Sequence, residues 1–334
     1  MKITWFATHI DTLPDGRYFS SRASTRFQCL IPAQELEKMG HEINIIQSDR
    51  IADPNELLDD DFGEIVVFIK NFVLIDEVFA ERARRLNRRV IYSFCDFDFH
   101  NPELKAHRQK MAKLADQCVA VSEDLAEITA KALDIPVPAM ITDPYEGPGF
   151  AARFAPDPEE LKLVWFGNAG NLQELFDQVP ALAEFGRDFP ISVNVVAVTV
   201  DGIAKAFSQV NKKFKGRLEL RFTPWSLENT WTSLEQGDLV LIPSIDNEKK
   251  KAKSPNRVVE SLRNGRFVVA HPVSAYQDYS NFIRIDSDIT AGLRWTMEHK
   301  AEIEQSIRRG QDYIEKRNSP KAVAAAWLRL LSIN

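Results

Sequence analysis

Apolar positions along the chain form short, nearly continuous runs, and between them apolar residues recur three and four apart. That is the pattern of buried parallel strands alternating with amphipathic helices. In the first half, residues 2–8, 41–47, 64–70, 89–94 and 119–121 read as strands; in the second, 161–166, 191–200, 217–224, 239–243, 266–270 and 282–286 do. Helices are predicted over 24–39, with Phe27, Leu30, Ile31 and Leu36 facing inward and Gly40 as the stop, over 75–86, and from a Ser122 N-cap onward. Two more are predicted over 289–309 and 311–317. Alternation of this kind builds doubly wound sheets.

Residues 136–160 hold six prolines and two glycines, a composition that marks a linker. Domains are therefore expected over 1–150 and 158–318, followed by a terminal helix over 319–334 that starts at Ser319-Pro320 and carries Val323, Trp327, Leu330 and Leu331 on one face. The segment 9–23 is long for a connection after a first strand, and loops of that length usually bind something.

The chemistry concentrates in residues 237–270, a strand, a basic loop, a helix and a second strand. Ser254 reads as the N-cap and Pro255 as the first turn, with Val258, Val259 and Leu262 inward. Lys249, Lys250, Lys251 and Lys253 put positive charge beside a helix end that already favours anions. Arg257 and Glu260 lie three apart and share a face, so a cation that grips phosphate stands beside a carboxylate that accepts from a sugar diol. In the run FGNAGN, Gly167 and Gly170 let backbone amides approach a diphosphate, and Asn168 or Asn171 can donate or cap. Trp225, at a strand end, offers either a stacking face for a base or core packing.

The run CDFDFH follows the strand 89–94, at the end of the sheet where ligands bind in α/β folds. Asp96, Asp98 and His100 could position or deprotonate an acceptor hydroxyl, or the aspartates could simply cap the turn while Phe97 and Phe99 face the core. As a metal site the cluster lacks a fourth group, and none is expected.

The string NRVVESLRNGRFVVA resembles the donor-site segment of GT-B-type glycosyltransferases, family 4-like enzymes of polysaccharide biosynthesis, with Glu260 at the ribose-binding glutamate and Arg257 at the basic position. RFQCLIPAQELEKMGHEINII is similar to the first helix of a sugar transferase amino-terminal domain, and ITDPYEGP to the interdomain crossing of such enzymes. The resemblance implies two Rossmann-like domains facing across a cleft, with the last helix crossing back onto the first. It implies transfer of a hexosyl group from a nucleotide-diphosphate sugar to a glycan, lipid or other acceptor hydroxyl without a metal, the nucleotide sugar being a co-substrate and no cofactor being needed. Donor contacts are then expected from Gly167, Asn168, Trp225, Lys253, Ser254, Asn256, Arg257 and Glu260, and acceptor contacts from Arg26, Asp96 and His100; Asp96, Asp98 and Arg257 are the candidates for catalysis. One departure stands out: many members carry an acid eight positions before the glutamate, where this chain has Ala252. A non-catalytic nucleotide-sugar-binding subunit and a same-fold epimerase are the rival readings.

A net charge of −6 argues against a nucleic-acid partner. Cys29, Cys95 and Cys118 are an odd set without metal spacing, which fits a reducing compartment. The amino terminus meets charge and turn residues too early for a signal peptide, so a cytoplasmic location is expected, with peripheral contact at the inner membrane face left open.

Overall fold

A computed structural model of the chain describes residues 1–69 and 73–332; Lys70, at the end of the predicted strand 64–70, lies outside the described residues. Two compact units emerge. The first comprises Met1–Glu146, Lys251–Ser254 and Arg317–Asn334; the second comprises Gly147–Lys250 and Pro255–Lys316.

The first unit is built on six parallel strands in the spatial order Glu42–Gln47, Lys2–Ala7, Ile65–Ile69, Arg89–Phe94, Gln117–Ala120, Ala139–Met140. Ile65–Ile69 is buried throughout, as a central strand covered on both faces must be. The chain order reverses between Lys2–Ala7 and Ile65–Ile69, the position at which doubly wound sheets open a crevice.

The predicted helix 24–39 is not one regular helix. It runs as Ala23–Thr25, a five-residue π-helical turn Arg26–Leu30, and Ile31–Lys38. The wider turn rotates the inward face, so that Arg26, Phe27, Gln28 and Cys29 are buried while Leu30 and Ile31 are only half-buried. The segment 9–23 contains a small antiparallel pair, Asp11–Thr12 with Tyr18–Phe19, turning at Gly16 with φ +84°.

The chain's last helix, Pro320–Leu331, belongs to this unit. Ser319 accepts from the Ala322 amide as its N-cap, and Trp327 meets Trp5 edge-on with ring centroids 5.0 Å apart. Arg89 donates to the Leu330 and Leu331 carbonyls, adding side-chain donors to a helix end whose Ser332 amide already bonds the Leu328 and Leu330 carbonyls.

The second unit also has six parallel strands, ordered Leu218–Pro224, Ile191–Ala197, Leu161–Phe166, Leu239–Ile242, Phe267–Ala270, Arg284–Ile285. By sequence that order is third, second, first, fourth, fifth, sixth, the mononucleotide-binding arrangement with its switch point between Leu161–Phe166 and Leu239–Ile242. Strand 191–200 ends early, at Ala197, where its pairing with Pro224 stops and Val198 becomes exposed.

The predicted break at Gly310 does not occur: one helix spans Lys300–Asn318, and the break falls at His299 instead. Glycine is tolerated inside that helix because a Cβ at position 310 would meet Leu262 at 2.9 Å. Among the described residues, no helix is long and apolar enough to cross a membrane.

Candidate functional site

In the second unit, the switch point brings together the ends of two strands and one helix. Leu161–Phe166 runs into Gly167, whose backbone has φ +156° and whose amide donates to Val196. A Cβ on Gly167 would lie 3.7 Å from Cδ and 3.8 Å from Nη1 of Arg257, so the arginine side chain lies over this glycine. Arg257 sits in the first turn of the helix Asn256–Arg263. Its Nη1 is buried and has no hydrogen-bond partner, and the same holds for Nδ2 of Asn256. Two unpaired donors at one helix start can both serve an acceptor placed there. The helix end itself adds further unpaired amides.

The structure corrects the expected cap. Pro255, not Ser254, occupies the N-cap, and no side chain caps the helix. Ser254 falls in the first unit, where its hydroxyl bonds Asp143. The lysine run does not form an open cationic loop either. Glu248–Lys251 is a short helix, Lys250 is buried in an ion pair with Glu174 while donating to Asn171 Oδ1 at 3.0 Å, and Lys253 pairs with Asp96 inside the first unit. Asn168 uses its side-chain oxygen to accept from the Gly170 amide at 2.8 Å, which folds the FGNAGN run into a short turn.

Glu260 is 5% exposed. Its Oε2 would stand 3.0 Å from a Cβ at Gly147, and the indole nitrogen of Trp231 would stand 2.8 Å from the same point. The carboxylate thus lies in a tight corner made by Gly147, Trp231 and Asn264. Trp231 is brought there by the helix Leu227–Gln236. Its only sequence signal was a large aromatic within an amphipathic run, which does not separate a site wall from a core residue. Trp225 is half-buried after Leu218–Pro224, with its amide held by the Ala197 carbonyl at 2.8 Å.

Sequence reasoning also missed His271 and Ser244, which follow adjacent strands of the same sheet edge. Nδ1 of His271 lies 2.7 Å from the Ser244 carbonyl and 3.1 Å from the Ser244 amide. No motif flags the pair, because the strand register alone brings them together.

In the first unit, the alternation expected of CDFDFH is present: Phe97 and Phe99 are buried, Asp96 and Asp98 half-buried. Asp96, Asp98 and His100 have separate partners, however. Asp96 pairs with Lys253, Asp98 with the fully buried Arg108 at 2.9 Å, and exposed His100 packs edge-on against Phe97. Arg26 is buried and forks onto Glu146 at 2.6 and 2.8 Å, with a third bond to the Ser20 carbonyl.

Beside Asp96 lies a buried carboxyl, Asp143. Gln28 donates to it from the π-helical turn, and Ser93 donates to the other end of the same amide. Burial raises the Asp143 carboxyl above its ordinary value; the Ser254 and Gln28 bonds oppose this, and the charge on Asp96 adds to it. A carboxyl raised in the folded state gives up stability as pH climbs, because the native chain then holds the proton the unfolded chain has lost. Its contribution is complete below the unfolded value near 3.8 and falls away as pH passes the raised folded value. Asp143→Asn is expected to gain stability relative to the parent as pH rises above the unfolded value near 3.8, read from urea midpoints. Parallel pH curves would contradict it.

Among the described residues, no group of three or more His, Cys, Asp or Glu is placed to hold a metal ion.

Two doubly wound parallel sheets in one chain, one of them in mononucleotide-binding order, define the GT-B class of fold. The chain's structural neighbours are GT-B glycosyltransferases. HepE of Anabaena, in complex with UDP, matches with a TM-score of 0.69 at 12% identity, covering 99% of this chain and 100% of that one. Starch synthase IV of Arabidopsis thaliana, as a catalytic domain bound to ADP and acarbose, matches with a TM-score of 0.65 at 11% identity and 98% coverage of both chains. The lipopolysaccharide outer core galactosyltransferase WaaB, in its apo form, matches at 0.64 and 12%, covering 99% of each. No family profile and no curated protein sequence matches the chain. The likeness is therefore one of fold.

Proposed function

We propose that the protein is a glycosyltransferase that moves a hexosyl group from a nucleoside-diphosphate sugar to a hydroxyl of a glycan or lipid-linked acceptor, in the building of a polysaccharide and without a metal. The observation that carries this reading is Arg257, laid over Gly167 at the switch point with a buried donor awaiting an acceptor. A diphosphate supplies that acceptor, and the neighbours that hold UDP or ADP support a nucleotide there.

The acceptor oxygen attacks the anomeric carbon, the bond from that carbon to the phosphate oxygen breaks, and the nucleoside diphosphate leaves with the electron pair. Negative charge grows on the leaving diphosphate, and Arg257, Asn256 and the free amides of their helix are already oriented toward it. The ribose falls to Glu260 and the base to Trp225. The acceptor hydroxyl must lose its proton. Of the three polar residues in CDFDFH, Asp98 is held by a fully buried arginine and His100 is exposed against Phe97, whereas the partner of Asp96, Lys253, is 41% exposed and can swing away, so Asp96 is assigned as the base. Position 252 offers no acid, since Ala252 is packed in the apolar core of the first unit. The expected outcome is inversion at the anomeric carbon.

The test is a thermal-shift screen with UDP-, GDP-, ADP- and dTDP-sugars, followed by measurement of diphosphate release with and without candidate acceptors. A ligand at one hundred times its Kd stabilises by about 2.7 kcal/mol, well within reach of the method. A flat response to all four classes removes the reading. Binding without release under any acceptor would leave a non-catalytic subunit.

A further inference from the structure

The edge of the second sheet holds one more polar group that the reaction above does not use. His271 directly follows Phe267–Ala270, and its amide donates to the Ile242 carbonyl at 3.1 Å, so it stands at the carboxyl end of the strand next to the switch point. The ring is half-buried. Nδ1 is fixed by the Ser244 backbone, while Nε2 is buried with no hydrogen-bond partner.

An unmet buried ring nitrogen costs about 1–3 kcal/mol, and an apolar side chain of similar shape would avoid that cost. Ser244 presents both its carbonyl and its amide to the same Nδ1, at 2.7 and 3.1 Å. Either protonation state of Nδ1 therefore finds a partner, which leaves Nε2 able to carry the proton. The Asp288 carboxylate interacts electrostatically with this ring. A ring held by backbone on one side, with an N–H on the other at the ligand-binding edge of the sheet, suits an anionic oxygen.

We infer that His271 is a donor-contacting residue whose Nε2 hydrogen-bonds a phosphate oxygen of the bound nucleoside diphosphate. The inference rests on the nucleotide-sugar reading above. It adds a diphosphate contact from the fifth strand, separate from the one Arg257 makes beside the first.

The full chain is titrated calorimetrically with UDP, GDP, ADP and dTDP, and the tightest binder is carried into His271→Phe and His271→Gln. His271→Phe is expected to weaken that diphosphate by about 10–100-fold, the range of a hydrogen bond to a charged group, while the matching nucleoside is unaffected. His271→Gln, whose amide N–H reaches toward the same place, should recover most of the loss. In nitrogen-15 spectra of histidine-labelled protein, the ring signal missing from His271→Gln identifies His271 among the six histidines. In the parent that Nε2 signal should shift on adding the diphosphate and stay put on adding the nucleoside. Unchanged diphosphate affinity in His271→Phe, or an equal loss for diphosphate and nucleoside, overturns the inference while leaving nucleotide binding intact. Failure of the parent to bind any of the four removes the nucleotide reading and this inference together.

Discussion

Replacing Arg257 by alanine is expected to lower kcat/KM for the nucleotide sugar by about 10²–10³-fold, the scale seen when one preorganised donor to a developing anion is removed. Because the guanidinium serves both the ground-state diphosphate and the departing one, KM should rise and kcat should fall. The stability of the ligand-free protein should change little, since Nη1 forfeits no hydrogen bond when it is removed. The combination is diagnostic: a structural arginine would lose stability first. Arg257→Lys should recover only part of the activity, as an ammonium supplies a point charge without the planar fork that matches a phosphate. Steady-state kinetics and melting curves without ligand, on both variants, check it. Full activity in Arg257→Ala would take the diphosphate site away from this helix.

The parts of the molecule that could be read from sequence are those set by local pattern. Buried parallel strands need nearly continuous apolar runs, and Leu161–Phe166 and Arg89–Phe94 keep the bounds those runs suggest, despite Lys162 and Ser93 within them. Ser122 caps its helix by accepting from the Leu125 amide, as its position before an acidic first turn indicates. Charge is less legible. Lys250 and Lys253 looked like loop cations, yet each meets a carboxylate far away in sequence, Glu174 and Asp96. Spacing along the chain reports which residues share a face but says nothing of what a distant strand end brings to meet them.

Ser254 shows the same limit at a helix start. Serine before proline is a strong N-cap signal, but here the hydroxyl is taken by Asp143, more than a hundred positions earlier, and the cap passes to Pro255. The consequence favours binding, because a helix start left uncapped keeps its amides available to a ligand. Glu260 and Arg257, three apart on one helix, also part company: the arginine lies over Gly167, while the glutamate turns to the corner of Gly147 and Trp231. Neither destination is visible without the fold.

Arg26→Ala is expected to destabilise the first unit by about 3–5 kcal/mol, because removing one partner of a buried ion pair strands the other's charge. Side chains of Arg26 and Glu146 are only 7% and 11% exposed, and the guanidinium engages both carboxylate oxygens and the Ser20 carbonyl. The π-helical turn is what aims Arg26 there, by widening the helix between Thr25 and Ile31. Glu146 closes the polar stretch 142–146, which is also tied to Asn318 through Asp143 and Tyr145, so freeing it loosens the attachment of the terminal helix to the sheet. Arg26→Met with Glu146→Leu should recover much of the loss, since two apolar groups of similar volume leave no charge unpaired. Urea unfolding of the single and double variants measures the difference. If Arg26→Ala instead keeps the parent midpoint and raises only the KM for the acceptor, the arginine belongs to the acceptor site and the ion pair is incidental to folding.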